Sequence, residues 1–162
     1  MAMKTMDDAF YLMMQDVYYA EKQLLKALKK MAKNATNAKL QKAFLDHRAE
    51  TEVQIERLDK AFEMIEKKPR GKKCEAILGI IAEGDEVMDE AEDDNVLDAG
   101  LVASGQAAEH YEMARYGTLI AWAKQAGKPQ LARLLNQNLE EEKKADALLT
   151  KLAETQINPA AR

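Results

Sequence analysis

The sequence predicts an all-α protein, a bundle of two antiparallel helical hairpins. Three observations carry that expectation. Four long stretches repeat apolar residues at alternating spacings of three and four, the pattern of a helix that buries one face. The three prolines, Pro69, Pro129 and Pro159, all fall between or beyond those stretches, where a residue that breaks helices does no damage. Two connections are short turns, whereas the one between them runs for roughly thirty residues, enough to travel the length of a bundle and start the second hairpin from the other end. That long crossover carries a shorter apolar pattern of its own, read as a short fifth helix.

The elements follow in order. A Thr5-x-x-Asp8 capping pattern opens the first helix, expected over about residues 6–33, with Phe10, Met14, Val17, Glu21, Leu24, Leu28 and Met31 on its buried seam. Asn34 to Asn37 is a polar turn. The second helix, about 37–67, places Phe44, His47, Thr51, Gln54, Leu58, Ala61 and Ile65 on its seam, with Glu50 beside Thr51 at the edge. A basic loop, Lys67 to Lys73, follows as a solvated connector. The crossover helix, about 73–92, presents Ile77, Ile80, Ile81, Val87 and Met88, and Gly79 and Gly84 weaken it. Asn95 and Asp98 are the capping signal for the fourth stretch, about 96–126, with Val102, Gln106, Glu109, Met113, Tyr116 and Ile120 on its seam. Gly127 stops it and Pro129 starts the last, about 129–155, which carries Leu131, Leu135, Asn138, Glu142, Ala145, Leu149 and Leu152. The tail from Asn158 to Arg162 is expected to fray.

Composition removes several functional classes. With 162 residues and 47% hydrophobic content, residues 1–162 are expected to form one domain with a substantial core. The balance of 24 Lys and Arg against 28 Asp and Glu, net charge −4, is too acidic for a non-specific nucleic-acid or membrane-surface binder. No run approaches the roughly 18 consecutive apolar residues of a membrane span. The single cysteine, Cys74, cannot form an internal disulfide, and the first residues lack the apolar core of a signal peptide, so a cytoplasmic location is expected.

Four carboxylates stand where apolar side chains belong. Glu21, Glu50, Glu109 and Glu142 each interrupt or flank the seam of one long stretch. A buried carboxylate without a partner is costly, so such a group calls for a cation, or for protonation and tight hydrogen bonding. Measured from the turns, Glu21 and Glu50 lie at nearly the same height in the first hairpin, and Glu109 and Glu142 do so in the second, given a rise of about 1.5 Å per residue. His47, Glu112 and Asp146 sit three or four residues from these glutamates and project with them. The set offers carboxylates and one imidazole, which suits iron, manganese, magnesium or calcium better than a structural zinc or an iron–sulfur cluster. The plainer alternative is a row of seam glutamates that reach solvent or pair with Lys and Arg. His47 alone on an apolar seam is equally compatible with a hydrogen-bonded core residue.

The stretches Tyr18 to Leu24, His47 to Gln54, Glu109 to Leu119, and Leu139 to Asp146 resemble the YciF family, a bacterial stress-associated branch of the ferritin-like superfamily. The likeness covers nearly the whole chain. It implies a ferritin-like four-helix bundle, usually a homodimer, similar in arrangement to rubrerythrin, with a carboxylate-bridged pair of iron ions or, alternatively, manganese ions. In that superfamily one Glu comes from each of two bundle helices and a Glu-x-x-His from each of the other two. Glu21, Glu50, Glu109 and Glu142 match the four glutamates, with Glu50 and Glu142 as bridges, and Glu109 with Glu112 resembles an additional Glu-x-x-Glu step. Two departures stand out. Val53 and Ala145 occupy the histidine positions, so neither Glu-x-x-His is intact, while His47 precedes Glu50 and Asp146 lies one place beyond its expected position. Two functions follow from this: a di-metal protein that oxidises Fe(II) with oxygen or peroxide, with His47 and Asp146 as substitute ligands, or a non-catalytic structural or interaction protein with an incomplete site.

Overall fold

The computed structural model of the chain describes residues 3–161. Among them lie helices α1 (Met6–Asn34), α2 (Ala38–Met64), α3 (Glu75–Glu90), α4 (Asp94–Gln125) and α5 (Pro129–Leu152), and no strand. A π-helical turn, Ala153–Ile157, and one further helical turn, α6 (Asn158–Ala160), extend the last helix beyond its expected end. Asn158 to Ala160 are therefore helical rather than frayed, and buried Ile157 anchors that end in the core. Arg162 lies outside the described residues.

Local chemistry sets where each helix begins and ends. The Thr5 hydroxyl accepts the Asp8 amide at 3.1 Å while the Asp8 carboxylate accepts the Thr5 amide at 3.0 Å, a reciprocal cap at the start of α1. Asn37 caps α2 by accepting the amides of Lys39 and Leu40. That helix ends at Met64, three residues earlier than the spacing predicts. Glu66 adopts a left-handed φ of 56°, Lys67 donates its amide to the Phe62 carbonyl at 3.0 Å, and the stop forms without a glycine to announce it. The equivalent bond, from the Lys128 amide to the Ala123 carbonyl at 2.9 Å, closes α4, where Gly127 takes φ 68° at no steric cost. The crossover helix α3 is shorter than expected and starts after Cys74 with no side-chain cap.

The capping signal ahead of α4 is corrected by the structure. Asp93, not Asn95, is the cap, and accepts the amides of Asn95 and Val96 at 2.9 and 3.0 Å. Asp98 is buried and has a different task. Its carboxylate accepts the Thr36 amide and the Thr36 hydroxyl, both at 2.7 Å, and the Asn37 amide at 2.8 Å, which pins the α1–α2 turn against the start of α4.

These contacts fix the topology. The crossover attaches low on α1, where Lys72 donates its amide to the Gln15 carbonyl at 3.2 Å, and α3 then climbs beside α1 and α4. As a result α4 begins next to the α1–α2 turn and runs back down. The four long helices form a ring in which α1 packs on α2 and α4, and α5 on α2 and α4, so every neighbouring pair is antiparallel. One apolar cluster fills the lower half around Met14, Leu58, Phe62, Leu119 and Leu135, with the Phe62 ring edge-on to Tyr11 and Tyr18. A second fills the upper half around Leu28, Leu40, Phe44, Leu101 and Leu149, and a third lies under α3 around Leu24, Ile77 and Ala108. Between the upper and lower clusters the seam turns polar. No helix among the described residues is long and apolar enough to cross a membrane.

Replacing Asp98 by Ala removes the shared acceptor of two amides and a hydroxyl at the hairpin turn. Urea unfolding of the D98A variant is expected to show a loss of about 2 kcal/mol, since a hydrogen bond to a charged acceptor contributes roughly 1.5–3 kcal/mol.

Candidate metal centre

The polar seam is a layer of buried acids across the middle of the bundle. Glu21 from α1, Glu109 and Glu112 from α4 and Glu142 from α5 are all buried, as is His47 from α2. His47, Glu109, Glu112 and Glu142 each place one donor atom so that all lie within 4.8 Å of one another, close enough to share an ion. His47 Nε2 is 3.0 Å from Glu109 Oε1 and 3.3 Å from Glu142 Oε2, the latter outside hydrogen-bonding geometry.

Other predicted residues lie elsewhere. Glu21 is buried beside the cluster but is held by the Tyr116 hydroxyl, which donates to its Oε1. Glu50 is not a core bridge. Its side chain is 44% exposed, and it reaches the layer only through His47 Nδ1 at 3.2 Å. The physical reason is angular: His47, Thr51 and Gln54 occupy the buried stripe of α2, and Glu50 falls about 100° from Thr51. Asp146 also stands apart, accepting from Gln106 Nε2 at 3.0 Å and lying 3.2 Å from the exposed His110.

A second polar tier supports the first, and sequence reasoning missed its connections. Gln54 Nε2 donates to Glu142 Oε1 at 2.5 Å and to Glu141 Oε2 at 3.1 Å. Arg57 grips Glu141 with two nitrogens at 2.8 and 2.9 Å and also donates to Asn138 Oδ1 at 2.9 Å. Asn138 in turn donates to the Tyr116 hydroxyl at 2.9 Å, which leads to Glu21. The seam positions of Gln54, Asn138 and Tyr116 were the available signal. Arg57 and Glu141 lie off the seam, and nothing in their spacing announces a bidentate pair.

Charge accounting shows what the layer lacks. Arg57 is committed to Glu141 and Arg48 to Glu52, so His47 is the one basic side chain ion-paired with Glu109 and Glu142 among the described residues. Burial, then the charge of Glu142, raises Glu21 from an ordinary 4.5 to about 8. Burial also holds Glu112 well above the carboxylate range, as it does Glu109, which the adjacent Glu142 raises further. Glu142 feels the same burial, but the close approach of Glu109 and His47 outweighs it and leaves Glu142 below its usual value. Burial opposes charge on His47 too, yet the neighbouring carboxylates of Glu109, Glu142 and Glu50 keep the imidazole well above 6.5. Without a cation the layer is thus held by protons. Even so, Glu21 Oε2, Glu109 Oε2, Glu112 Oε1 and Glu142 Oε2 are buried with no hydrogen-bond partner. Three carboxylates and one imidazole within ion-sharing distance, with orphaned oxygens, fit a hard or borderline divalent metal ion.

The family model described as "Domain of unknown function (DUF892)" matches residues 5–162. The chain belongs to the DUF892 family. This family is ferritin-like, as the resemblance to YciF proteins implied. Protein YciF of Escherichia coli K12 is 46% identical over 162 residues, covering 99% of this chain and 98% of its own length. The crystal structure of the E. coli stress protein YciF matches with a TM-score of 0.92 over 96% of this chain and 99% of that one. YcfI of Rhodopseudomonas palustris, proposed to be a structural protein, is 50% identical with a TM-score of 0.89, covering 91% and 94% of the two chains. A Xanthomonas campestris protein at 19% identity and TM-score 0.77, over 96% and 95% of the two chains, shares the fold. The all-α bundle is thus that of DUF892.

The raised acids give the metal-free protein a distinctive pH response. A carboxyl that titrates at about 8 when folded and at 4.5 when unfolded contributes its full stability below 4.5 and loses it as pH rises through 8. His47 acts in the same sense, and Glu142 opposes it only in strong acid. The melting temperature of metal-free protein is expected to fall between about pH 5 and pH 8, and Glu112→Met to raise it at pH 8 by removing a buried acid worth about 1–3 kcal/mol. Differential scanning calorimetry across that range checks both.

Proposed function

We propose that this protein is a metal-binding, stress-associated bundle in which His47, Glu109, Glu112 and Glu142 hold Fe(II) or Mn(II). Two observations carry the reading: Glu109, Glu112, Glu142 and His47 each bring one donor atom within 4.8 Å of the others, and each of the three carboxylates keeps a buried oxygen without a partner. Glu21 lies beside them with a free buried oxygen and would complete a second position once released from Tyr116. Bound iron or manganese would supply one-electron chemistry toward oxygen or peroxide. The chain's own part is to dehydrate the site, fix the donors and accept the protons that a cation displaces. Gln54 and Asn138 fix Glu142 and the Tyr116–Glu21 pair, while Arg57 keeps Glu141 out of the donor set. The stress association rests on the E. coli relative, and a cytoplasmic homodimer fits the composition and the family resemblance.

A second reading, a non-catalytic structural protein, draws on the exposed Glu50, on Val53 and Ala145 at the two histidine positions, and on the role proposed for the R. palustris relative. The two readings separate on metal. Anaerobic titration with Fe(II), read by elemental analysis after desalting, is expected to load roughly two ions per chain. His47→Ala and Glu142→Ala should weaken binding by about 100-fold or more while the helical circular dichroism persists. Peroxide-driven Fe(II) oxidation that the loaded protein accelerates, and the variants do not, supports the redox reading. Protein that retains no metal leaves the structural one.

A further inference from the structure

The buried centre is sealed on three sides. Below it lies the tier of Gln54, Asn138 and Tyr116, with the lower apolar cluster beneath. Above it Phe44 and Leu149 close over Gly105, where an added Cβ would stand 3.1 Å from Leu149 and 3.2 Å from Phe44. Toward α3 the way is filled by Ala20, Leu24, Ala108 and Ile77. The fourth side, between α2 and α5, is different.

There a cleft of about 150 Å³ opens to solvent. Its lining includes exposed Asp46, Lys144 and Leu148, and it reaches Glu50, His47 and Glu109. These three form a graded series of donors. Glu50 is 44% exposed, its Oε2 lies 3.2 Å from His47 Nδ1, and the other side of the same ring lies 3.0 Å from Glu109, whose Oε2 is buried and unpartnered. An ion moving along this series exchanges water for protein oxygen in steps rather than losing its hydration at once, which matters because desolvating a divalent ion without replacement ligands is very costly.

We propose that this cleft is the cation portal of the centre, with Glu50 as an entry ligand that takes a divalent ion from solvent and passes it beside His47 to Glu109 and Glu142. This rests on the metal-binding reading above and gives Glu50 a task in place of the bridging one. Lys144 acts as an electrostatic brake at the mouth, because it stands as a positive charge where a cation must pass.

The test is the rate of Mn(II) uptake by metal-free full-length protein. Mn(II) does not oxidise readily, so stopped-flow loss of its free-ion electron spin resonance signal reports entry alone. Ala145→Trp fills the cleft from its α5 wall. It is expected to slow uptake at least about tenfold while the final stoichiometry is unchanged, as a pathway rather than the donor set is altered. Lys144→Glu should speed uptake about threefold or more at low salt, with the gain lost at high salt as charges are screened. Wild-type protein that binds no Mn(II) or Fe(II) at equilibrium overturns the metal-binding reading itself. Wild-type binding with unchanged uptake rates in folded Ala145→Trp, or in Lys144→Glu, overturns the portal alone. If Ala145→Trp does not fold, Lys144→Glu decides.

Discussion

The constraint on which this molecule turns is the cost of burying acids in an apolar bundle. Glu21, Glu109, Glu112 and Glu142 occupy a layer that the fold could have filled with leucine, and His47 is the basic side chain paired within it. Protons satisfy part of the cost and leave four oxygens orphaned. A fold selected for stability alone would not keep such a layer, because an apolar replacement of similar volume is generally neutral or stabilising. The layer is therefore best understood as stability given up for a binding capacity, supported by a bundle whose upper and lower cores are conventional.

The support is anisotropic. Below the layer, Arg57, Glu141, Asn138 and Gln54 form a connected tier that holds two of the acids in place. At the upper end Asp98 ties the first hairpin to the second, so that the four contributing helices keep one register. Between α2 and α5 the packing thins, and there the layer meets solvent through Glu50. Rigid walls on three sides and one thin wall are what a site needs if it is to be preorganised and still accessible.

Much of this was legible in the sequence. The three-and-four spacing identified the seams, the Thr5 and Asp8 pair marked a real cap, and Gly127 with Pro129 marked a real turn. The site was legible in part. Spacing alone put His47 on the stripe of α2 and Glu50 at its edge, which is where the structure has them. The bridging role expected of Glu50 does not match its half-exposed position, and His47 is the α2 side chain buried in the layer. What spacing could not show was long-range pairing. Asp98 reads as a helix cap from its neighbours and only the fold brings Thr36 to it. Arg57 and Glu141 are ordinary charged residues until two helices set them face to face. Glu66 taking a left-handed turn without glycine is likewise a decision of the surrounding packing rather than of local propensity.

The central claim is that a cation replaces protons in the acid layer. Calorimetric titration of metal-free protein with Mn(II) at pH 7, repeated in buffers of different ionisation enthalpy, counts the protons released per ion bound. The account predicts release of about two or more protons per chain, since Glu109, Glu112 and His47 must give up theirs to become ligands. Saturable binding with heats independent of buffer would contradict it, as would the absence of binding.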